Sequence, residues 1–322
     1  MLYGYIDEID KPISRLVQGT MMVSSNALGY SFGLLDAVFE RGCNTFDTAH
    51  VYGGGDNERT VGRWVNERGI REKVVILGKG AHHNQDRKRV TPFDITADIH
   101  DSLARFKFEY IDLYLLHRDD PAVPVGPIVE VLNEHYRAGK IHAFGGSNWS
   151  HARIAAANAY AAEHGLKPFI ASSPNYSLAE QMQEPWPGCV SISGPANGAV
   201  RAWYAANNMP LFTWSSLAGG FFSGRFDRTL PMTSTDYFDK LVVDCYFSPQ
   251  NFDRLDRVRI IGAEKRLSVP QVALAYVMSQ PLNIFALTGG RSVEEFMTNA
   301  LALGAPLTPA ELAWLNLESD SR

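Results

Sequence analysis

The chain has 322 residues, of which 45% are apolar and 20% charged, and it carries a formal net charge of −5 at neutral pH. This composition supports a large buried core and excludes the basic surface stripe that nucleic-acid binding requires. There is no run of about 18 apolar residues that could form a membrane helix, so neither nucleic acid nor membrane is expected as a partner. The opening residues, Met1-Leu2-Tyr3-Gly4-Tyr5-Ile6-Asp7-Glu8, carry acids where a secretory leader has basic residues. Three widely spaced cysteines, Cys43, Cys189 and Cys245, offer no paired framework, which predicts a reducing, cytoplasmic setting.

In chain order, residues 15–20 form a short apolar run stopped by Gly19, expected as a buried first strand. Leu34, Leu35, Val38 and Phe39 place a helix over 29–41, and the run 43–47 is a second strand ending in Asp47. Tyr52 follows, then Gly53-Gly54-Gly55, then a helix over 57–68 with Gly69 as its C-cap. Val74-Val75-Ile76-Leu77-Gly78-Lys79 has the continuous apolarity of a strand covered on both faces. Thr91-Pro92 opens the next helix, since proline suits the first helical position. The fourth strand, 110–116, ends at His117, and a proline-rich loop and a helix stopped by Gly139 follow.

The second half repeats the alternation. A strand over 141–146 leads into Ser147-Asn148, and Ser150 caps an alanine-rich helix. Strands are expected at 169–172, 211–214 and 283–287, and helices up to 207 and over 253–267, 270–279 and 292–303. Thr308-Pro309 starts a C-terminal helix. The stretches 174–198 and 218–250 are long insertions after strands, a length more often functional than idle. Eight strand–helix units without a composition break predict an α/β protein: a single-domain (β/α)8 TIM barrel over 1–322 with long loops in its C-terminal half. An open doubly wound sheet is the competing architecture, but its Gly-x-Gly-x-x-Gly turn is absent near the N-terminus.

Asp47, Lys79 and His117 stand at three consecutive strand ends, which a barrel turns into one mouth, with Tyr52 on the adjoining loop. Such a group suits proton transfer to a carbonyl oxygen. Lys79 would pull the Tyr52 phenol below its usual value of about 10, Asp47 would keep the lysine charged, and His117 would orient the substrate oxygen. None of the four is a good nucleophile, so the electrons must come from a partner, and nicotinamide hydride transfer fits. The pair His82-His83 has no carboxylate at ligand spacing, and no metal site is expected. Arg118, Asp119 and Asp120 are candidates either for contacting hydroxylated substrates or for capping the loop. The insertion aromatics Phe221, Phe222, Tyr237, Phe238, Tyr246 and Phe247 could wall a pocket or form local core.

Phe46-Asp47-Thr48-Ala49-His50-Val51-Tyr52-Gly53, Lys79, Asp112-Leu113-Tyr114-Leu115-Leu116-His117, Gly139-Lys140-Ile141 and Gly145-Gly146-Ser147-Asn148-Trp149 together resemble the aldo-keto reductases over nearly the whole chain. The resemblance implies a barrel that binds NAD(P)(H) across its mouth and acts on a small-molecule carbonyl or alcohol. It also implies that Asp47, Tyr52, Lys79 and His117 form a catalytic tetrad with Tyr52 as general acid/base. Ser147 and Asn148 match the residues that hold the nicotinamide carboxamide, and Trp214 matches the ring-stacking aromatic. Ser215, Leu217 and Gly220 lie in the matching pyrophosphate turn, and Gly19 and Thr20 lie beside the cofactor.

Ser173 stands where the family usually has glutamine. At the adenosine end, Gly290, Arg291, Ser292 and Asn299 match, whereas Glu295 and Thr298 depart from the usual arginine and glutamate. Arg291 and Ser292 suit a 2′-phosphate and Glu295 opposes one, which leaves NADP(H) expected ahead of NAD(H). The substrate expectation is a sugar or related polar aldehyde or ketone. The alternatives are a cofactor-binding regulatory subunit of the same fold with little turnover, and a metal-dependent barrel hydrolase. The sequence is compatible with a homo-oligomer.

Overall fold

The computed structural model describes residues 1–228 and 236–322. Residues 229–235, which belong to the expected 218–250 insertion, lie outside the described residues. An antiparallel hairpin, β1 (Tyr3–Ile6) and β2 (Ile9–Ser14), comes first, with Ile6 opposite Ile9. Then follow β3 (Leu16–Gly19), α1 (Leu28–Glu40), β4 (Thr45–Asp47), α2 (Asp56–Arg68), β5 (Val75–Gly80), α3 (Pro92–Phe106) and β6 (Ile111–Leu116). The alternation continues with α4 (Val125–Arg137), β7 (Ile141–Ser147), α5 (His151–Glu163), β8 (Ala171–Ser173), α6 (Gly198–Ala206) and β9 (Leu211–Thr213). The last elements are α7 (Tyr237–Tyr246), α8 (Pro249–Lys265), α9 (Val269–Met278), β10 (Ile284–Thr288), α10 (Val293–Leu301) and α11 (Pro309–Leu315). Strands β3 to β10 form a closed parallel barrel in the order β10-β3-β4-β5-β6-β7-β8-β9, as the strand–helix alternation requires.

The chain divides into two compact units, one of Met1–Ser173 with Gly289–Val293 and the other of Pro174–Thr288 with Glu294–Arg322. In the first, β5 and β6 are buried at every position, which is why apart from Lys79 and Asp112 they carry no charged residue and do not alternate apolar with polar. Trp64 packs edge-on against Phe46 with ring centroids 4.9 Å apart. The expected caps are present: the Thr91 side chain accepts from the Asp94 N–H ahead of α3, and Ser150 does the same for Arg153 ahead of α5. Strand β8 begins two residues later than the sequence suggests. The Asn158 side chain takes both backbone groups of Phe169, accepting from its N–H at 2.8 Å and donating to its carbonyl at 3.0 Å.

The hairpin was not foreseen, because Lys11 and Pro12 interrupt an already short apolar pattern. It is anchored by charge. The Lys11 ammonium donates to Asp112 at 2.7 Å and to the Tyr110 hydroxyl and the Val74 carbonyl at 3.0 Å each. Asp112 also accepts from the Ile76 N–H at 2.8 Å and pairs with Arg71 at 2.9 Å. This buried carboxylate is therefore fully engaged in joining hairpin, β5 and β6.

In the second unit Phe212 and Phe285 stack across the neighbouring strands β9 and β10 at 4.8 Å. The insertion after β9 contains helix α7, capped by the Asp236 side chain. Its aromatics divide by burial. Phe221 and Phe222 are fully buried, and Phe221 contacts Phe247 at 5.7 Å and Phe252 at 5.4 Å, so these rings form local core. Tyr237 and Phe238 are exposed.

Candidate active site

The parallel ladder between β4 and β5 continues beyond β4, through Thr48 N–H to Leu77 carbonyl at 2.9 Å and His50 N–H to Lys79 carbonyl at 2.8 Å. That continuation holds Asp47 and Lys79 side by side, both buried, and the Lys79 ammonium donates to the Asp47 carboxylate and, at 3.0 Å, to the Thr48 carbonyl. The chain then turns through Tyr52 and three glycines with φ of 56°, 61° and 90° at Gly53, Gly54 and Gly55, backbone that only glycine adopts without strain. A Cβ on Gly55 would also sit 2.6 Å from the Arg105 guanidinium carbon. The turn delivers the Tyr52 ring to 5.4 Å from the Lys79 ammonium and 5.8 Å from the His117 ring, at 79° to it. His117 follows β6, tied by its N–H to the Gly80 carbonyl at 2.7 Å. The structure thus brings Asp47, Tyr52, Lys79 and His117 together.

The electrostatics depart from expectation at Tyr52. Burial pushes the phenol above its ordinary value; Lys79 and Arg118 act in the opposite direction but do not overcome it. The expected depression is corrected accordingly: desolvation of a phenolate outweighs one neighbouring ammonium that is already neutralised by Asp47. Burial likewise opposes the Lys79 charge, but Asp47 and Tyr52 outweigh it and raise its pKa, so the ammonium persists. Burial raises the Asp47 carboxyl against the pull of Lys79. His117 is driven well below the usual histidine value by burial, with Lys79, Arg118, His82 and His83 adding to it. Its imidazole is neutral at neutral pH.

On the adjoining strand ends, the Ser147 hydroxyl donates to the Ser173 carbonyl at 3.1 Å, and the Asn148 side-chain amide donates to the Ser147 hydroxyl at 3.2 Å and the His117 carbonyl at 3.3 Å. Asn148 has φ of 59°, a left-handed conformation that asparagine tolerates. Thr20 is buried and bonds the Asp47 carbonyl through its hydroxyl at 2.9 Å, so it steadies β4; Gly19 precedes it at the end of β3. The Gly290 carbonyl accepts from Gln18 at 3.2 Å and the Arg291 carbonyl from the Tyr30 hydroxyl at 2.6 Å, while the Arg291 and Ser292 side chains are exposed.

In the second unit, Trp214 is half-buried after β9, with its N–H bonded to the Pro174 carbonyl at 3.2 Å. Ser215, Ala218, Gly219 and Gly220 all have positive φ, a strained run that clusters at functional turns. The Gly220 N–H bonds the Leu217 carbonyl at 3.1 Å and is therefore not a free donor. Asn299 is buried on α10.

Among the described residues eleven buried side-chain atoms have no protein partner, and four of them are Thr48 Oγ1, His117 Nδ1, Arg118 Nε and Ser173 Oγ. These four belong to residues at or just past the C-terminal ends of β4, β6 and β8, the barrel end where ligands bind. Buried polar atoms are rarely left unpaired, so the Ser173 hydroxyl in particular is suited to a polar ligand.

Sequence reasoning weighed His82 only as a metal ligand and passed over Arg105 and Glu58. His82 stands edge-on to His117 at 4.9 Å, its own pKa pushed down to about 4 chiefly by burial. Arg105 and Glu58 pair behind the Tyr52 turn at 2.8 Å, although Glu58, in the first turn of α2, carries no sequence signal distinguishing it from a solvated acid. Among the described residues, no group of three or more His, Cys, Asp or Glu is arranged for a metal, and no helix is long and apolar enough to cross a membrane.

The model of the Aldo/keto reductase family matches residues 15–316. The aldo-keto reductase YhdN of Bacillus subtilis is 28% identical, covering 90% of this chain and 85% of its own. An NADP(+)-linked aryl-alcohol dehydrogenase of Phanerodontia chrysosporium is 26% identical, covering 89% and 75%. The glycerol dehydrogenase AKR11B4 of Gluconobacter oxydans superposes with a TM-score of 0.79 at 22% identity over 98% of this chain and 94% of its own, a likeness of fold. The chain belongs to the aldo/keto reductase family, whose members are NAD(P)-dependent oxidoreductases of carbonyls and alcohols.

Proposed function

We propose that this protein interconverts a carbonyl and an alcohol on a small polar substrate, with Tyr52 as the proton donor in reduction and acceptor in oxidation. The observation that carries this reading is the convergence of Tyr52 on both the buried Lys79–Asp47 pair and His117. Bound NAD(P)H supplies the hydride. Tyr52, protonated at neutral pH, gives its proton to the substrate oxygen as negative charge develops there, and Lys79 stabilises the resulting phenolate. Neutral His117 donates a hydrogen bond to the same oxygen and orients it, for which an imidazole serves better than a second positive charge beside Lys79.

Ser147, Asn148 and Ser173 hold the carboxamide in this reading, the unpaired Ser173 hydroxyl replacing the longer glutamine of the family. For Trp214, Ser215, Leu217, Gly220 and Asn299 the cofactor assignment rests on motif resemblance, as it does for Gly19, Thr20, Gly290, Arg291 and Ser292. The exposed Arg291 and Ser292 favour NADP(H) over NAD(H). Fluorescence titration with NADPH and with NADH, followed by turnover on a panel of aldehydes, ketones and polyols, tests the proposal. Tight NADPH binding with carbonyl turnover is the expected result. Binding without turnover on any substrate would favour the regulatory-subunit alternative, and failure to bind either dinucleotide would sink both readings.

A further inference from the structure

Arg118 follows His117 directly and is only 7% exposed. A guanidinium cannot shed its charge in a protein, so a buried one needs an acceptor or a counter-ion. The structure supplies little of either. One nitrogen donates to the His117 carbonyl at 2.9 Å, and Nε is buried without a partner. The two carboxylates next to it in sequence are committed elsewhere: Asp119 pairs with Arg153 at 3.1 Å and Asp120 with Lys88 at 3.1 Å. Among the described residues no carboxylate forms an ion pair with Arg118, although paired cations are common throughout the fold.

The position of Arg118 is fixed from behind. The fully buried Trp149 donates its indole N–H to the Arg118 carbonyl at 3.1 Å and packs on Phe169 at 5.0 Å, and Arg153 lies over the indole at 5.2 Å. Tyr52, His82, His83 and His117 each feel the guanidinium charge. All three histidines are held neutral, and Lys79 is balanced by Asp47, so Arg118 leaves the tetrad's surroundings with one uncompensated positive charge.

We propose that Arg118 is a specificity-determining residue that receives an oxyanion of the substrate, so that the preferred substrates are small carbonyl compounds bearing a carboxylate or phosphate away from the reacting carbon. This rests on the carbonyl–alcohol reading above and narrows its substrate class. A planar guanidinium presenting parallel N–H donors matches either oxyanion. Burial strengthens the contact by excluding water. The neutral sugars suggested by the sequence would leave this charge unanswered.

The test uses matched substrates with the NAD(P)H-loaded protein: 4-carboxybenzaldehyde against benzaldehyde, and glyceraldehyde 3-phosphate against glyceraldehyde. For at least one pair, kcat/KM for the charged member is expected to exceed that of the neutral one by about tenfold or more, the range of a charge-assisted hydrogen bond. Preference in one pair only identifies carboxylate or phosphate as the source. In Arg118→Met that ratio should collapse towards unity through KM, and in Arg118→Lys it should fall to an intermediate value. Dinucleotide fluorescence titration of both variants verifies that the site still assembles.

A wild-type ratio near one in both pairs overturns the proposal. So does an Arg118→Met variant that loses charged and neutral turnover equally, which would make Arg118 a support for His117. Absence of dinucleotide binding and of all turnover in the wild type would instead overturn the oxidoreductase reading on which the proposal stands.

Discussion

Arg105 pairs with the fully buried Glu58 at 2.8 Å, and the same guanidinium nitrogen donates to the His50 carbonyl at 2.8 Å. Ser102 completes the shell with a 2.7 Å bond to the other Glu58 oxygen. A pair of charges on α2 and α3 therefore grips the backbone two residues before Tyr52. Replacing Arg105 with Ala strands the Glu58 carboxylate, which burial already pushes towards its neutral form. The expected cost is about 3–5 kcal/mol of unfolding free energy, read by urea denaturation, and a lower kcat because the Tyr52 turn is released. The double replacement Arg105→Leu with Glu58→Leu should recover much of the stability but not the kcat.

In the proposed reading, Tyr52→Phe removes the transferable proton together with the hydroxyl's hydrogen bond to Lys79. Because the glycine turn that positions Tyr52 is unchanged, dinucleotide affinity should stay within about threefold. Turnover should fall by about a hundredfold to ten-thousandfold, the usual contribution of a general acid. Full activity in this variant would rule out the role given to Tyr52.

The direction of the Tyr52 shift sets the pH profile. A phenol held above its ordinary value of about 10 is protonated throughout the neutral range. Carbonyl reduction, which needs the acid form, should be flat through neutrality and decline only in strongly alkaline solution. Alcohol oxidation, which needs the base form, should rise with pH over the same range. His117, held well below the usual histidine value, should add no inflection between pH 6 and 7.5. Steady-state rates in both directions from pH 6 upward check this, and an inflection near 6.5 would contradict the neutral imidazole.

Asp47→Asn leaves the Lys79 ammonium buried without its counter-ion. Breaking one side of a buried pair costs about 3–5 kcal/mol. Lys79 then loses a group that kept its pKa raised, so its titration should move down, as the pH dependence of unfolding would reveal.

Ser173→Ala separates binding from stability. Its hydroxyl is buried with no protein partner, so removing it should leave unfolding unchanged or stabilise the fold slightly. Dinucleotide affinity should weaken by about tenfold, equivalent to one lost hydrogen bond of about 1.4 kcal/mol. Unchanged affinity would remove Ser173 from the cofactor contacts.

Legibility in the sequence followed the range of the interaction concerned. The buried strands β5 and β6 were readable because burial on both faces favours apolar runs without alternation, interrupted here only by Lys79 and Asp112 among charged residues. The starts of α3 and α5 were readable because capping is settled within four residues. Strand β8 was misplaced by two residues because Asn158, on α5, takes the backbone groups of Phe169. The hairpin escaped because its anchor, Asp112, is about a hundred residues distant from Lys11. Likewise, nothing local distinguished core aromatics such as Phe221 from exposed ones such as Tyr237.

By itself the sequence determined that Asp47, Lys79 and His117 stand at successive strand ends, and that three glycines turn the chain past Tyr52. Both are properties of strand length and of left-handed backbone that glycine adopts at least cost. The tertiary structure alone decided the charge states and the pairing of those groups. It buried Tyr52 enough to keep its proton, kept His117 neutral, and paired Asp119 and Asp120 away from Arg118. The physical reason is that desolvation and pairing depend on what the rest of the fold packs around a group, which spacing along the chain does not specify.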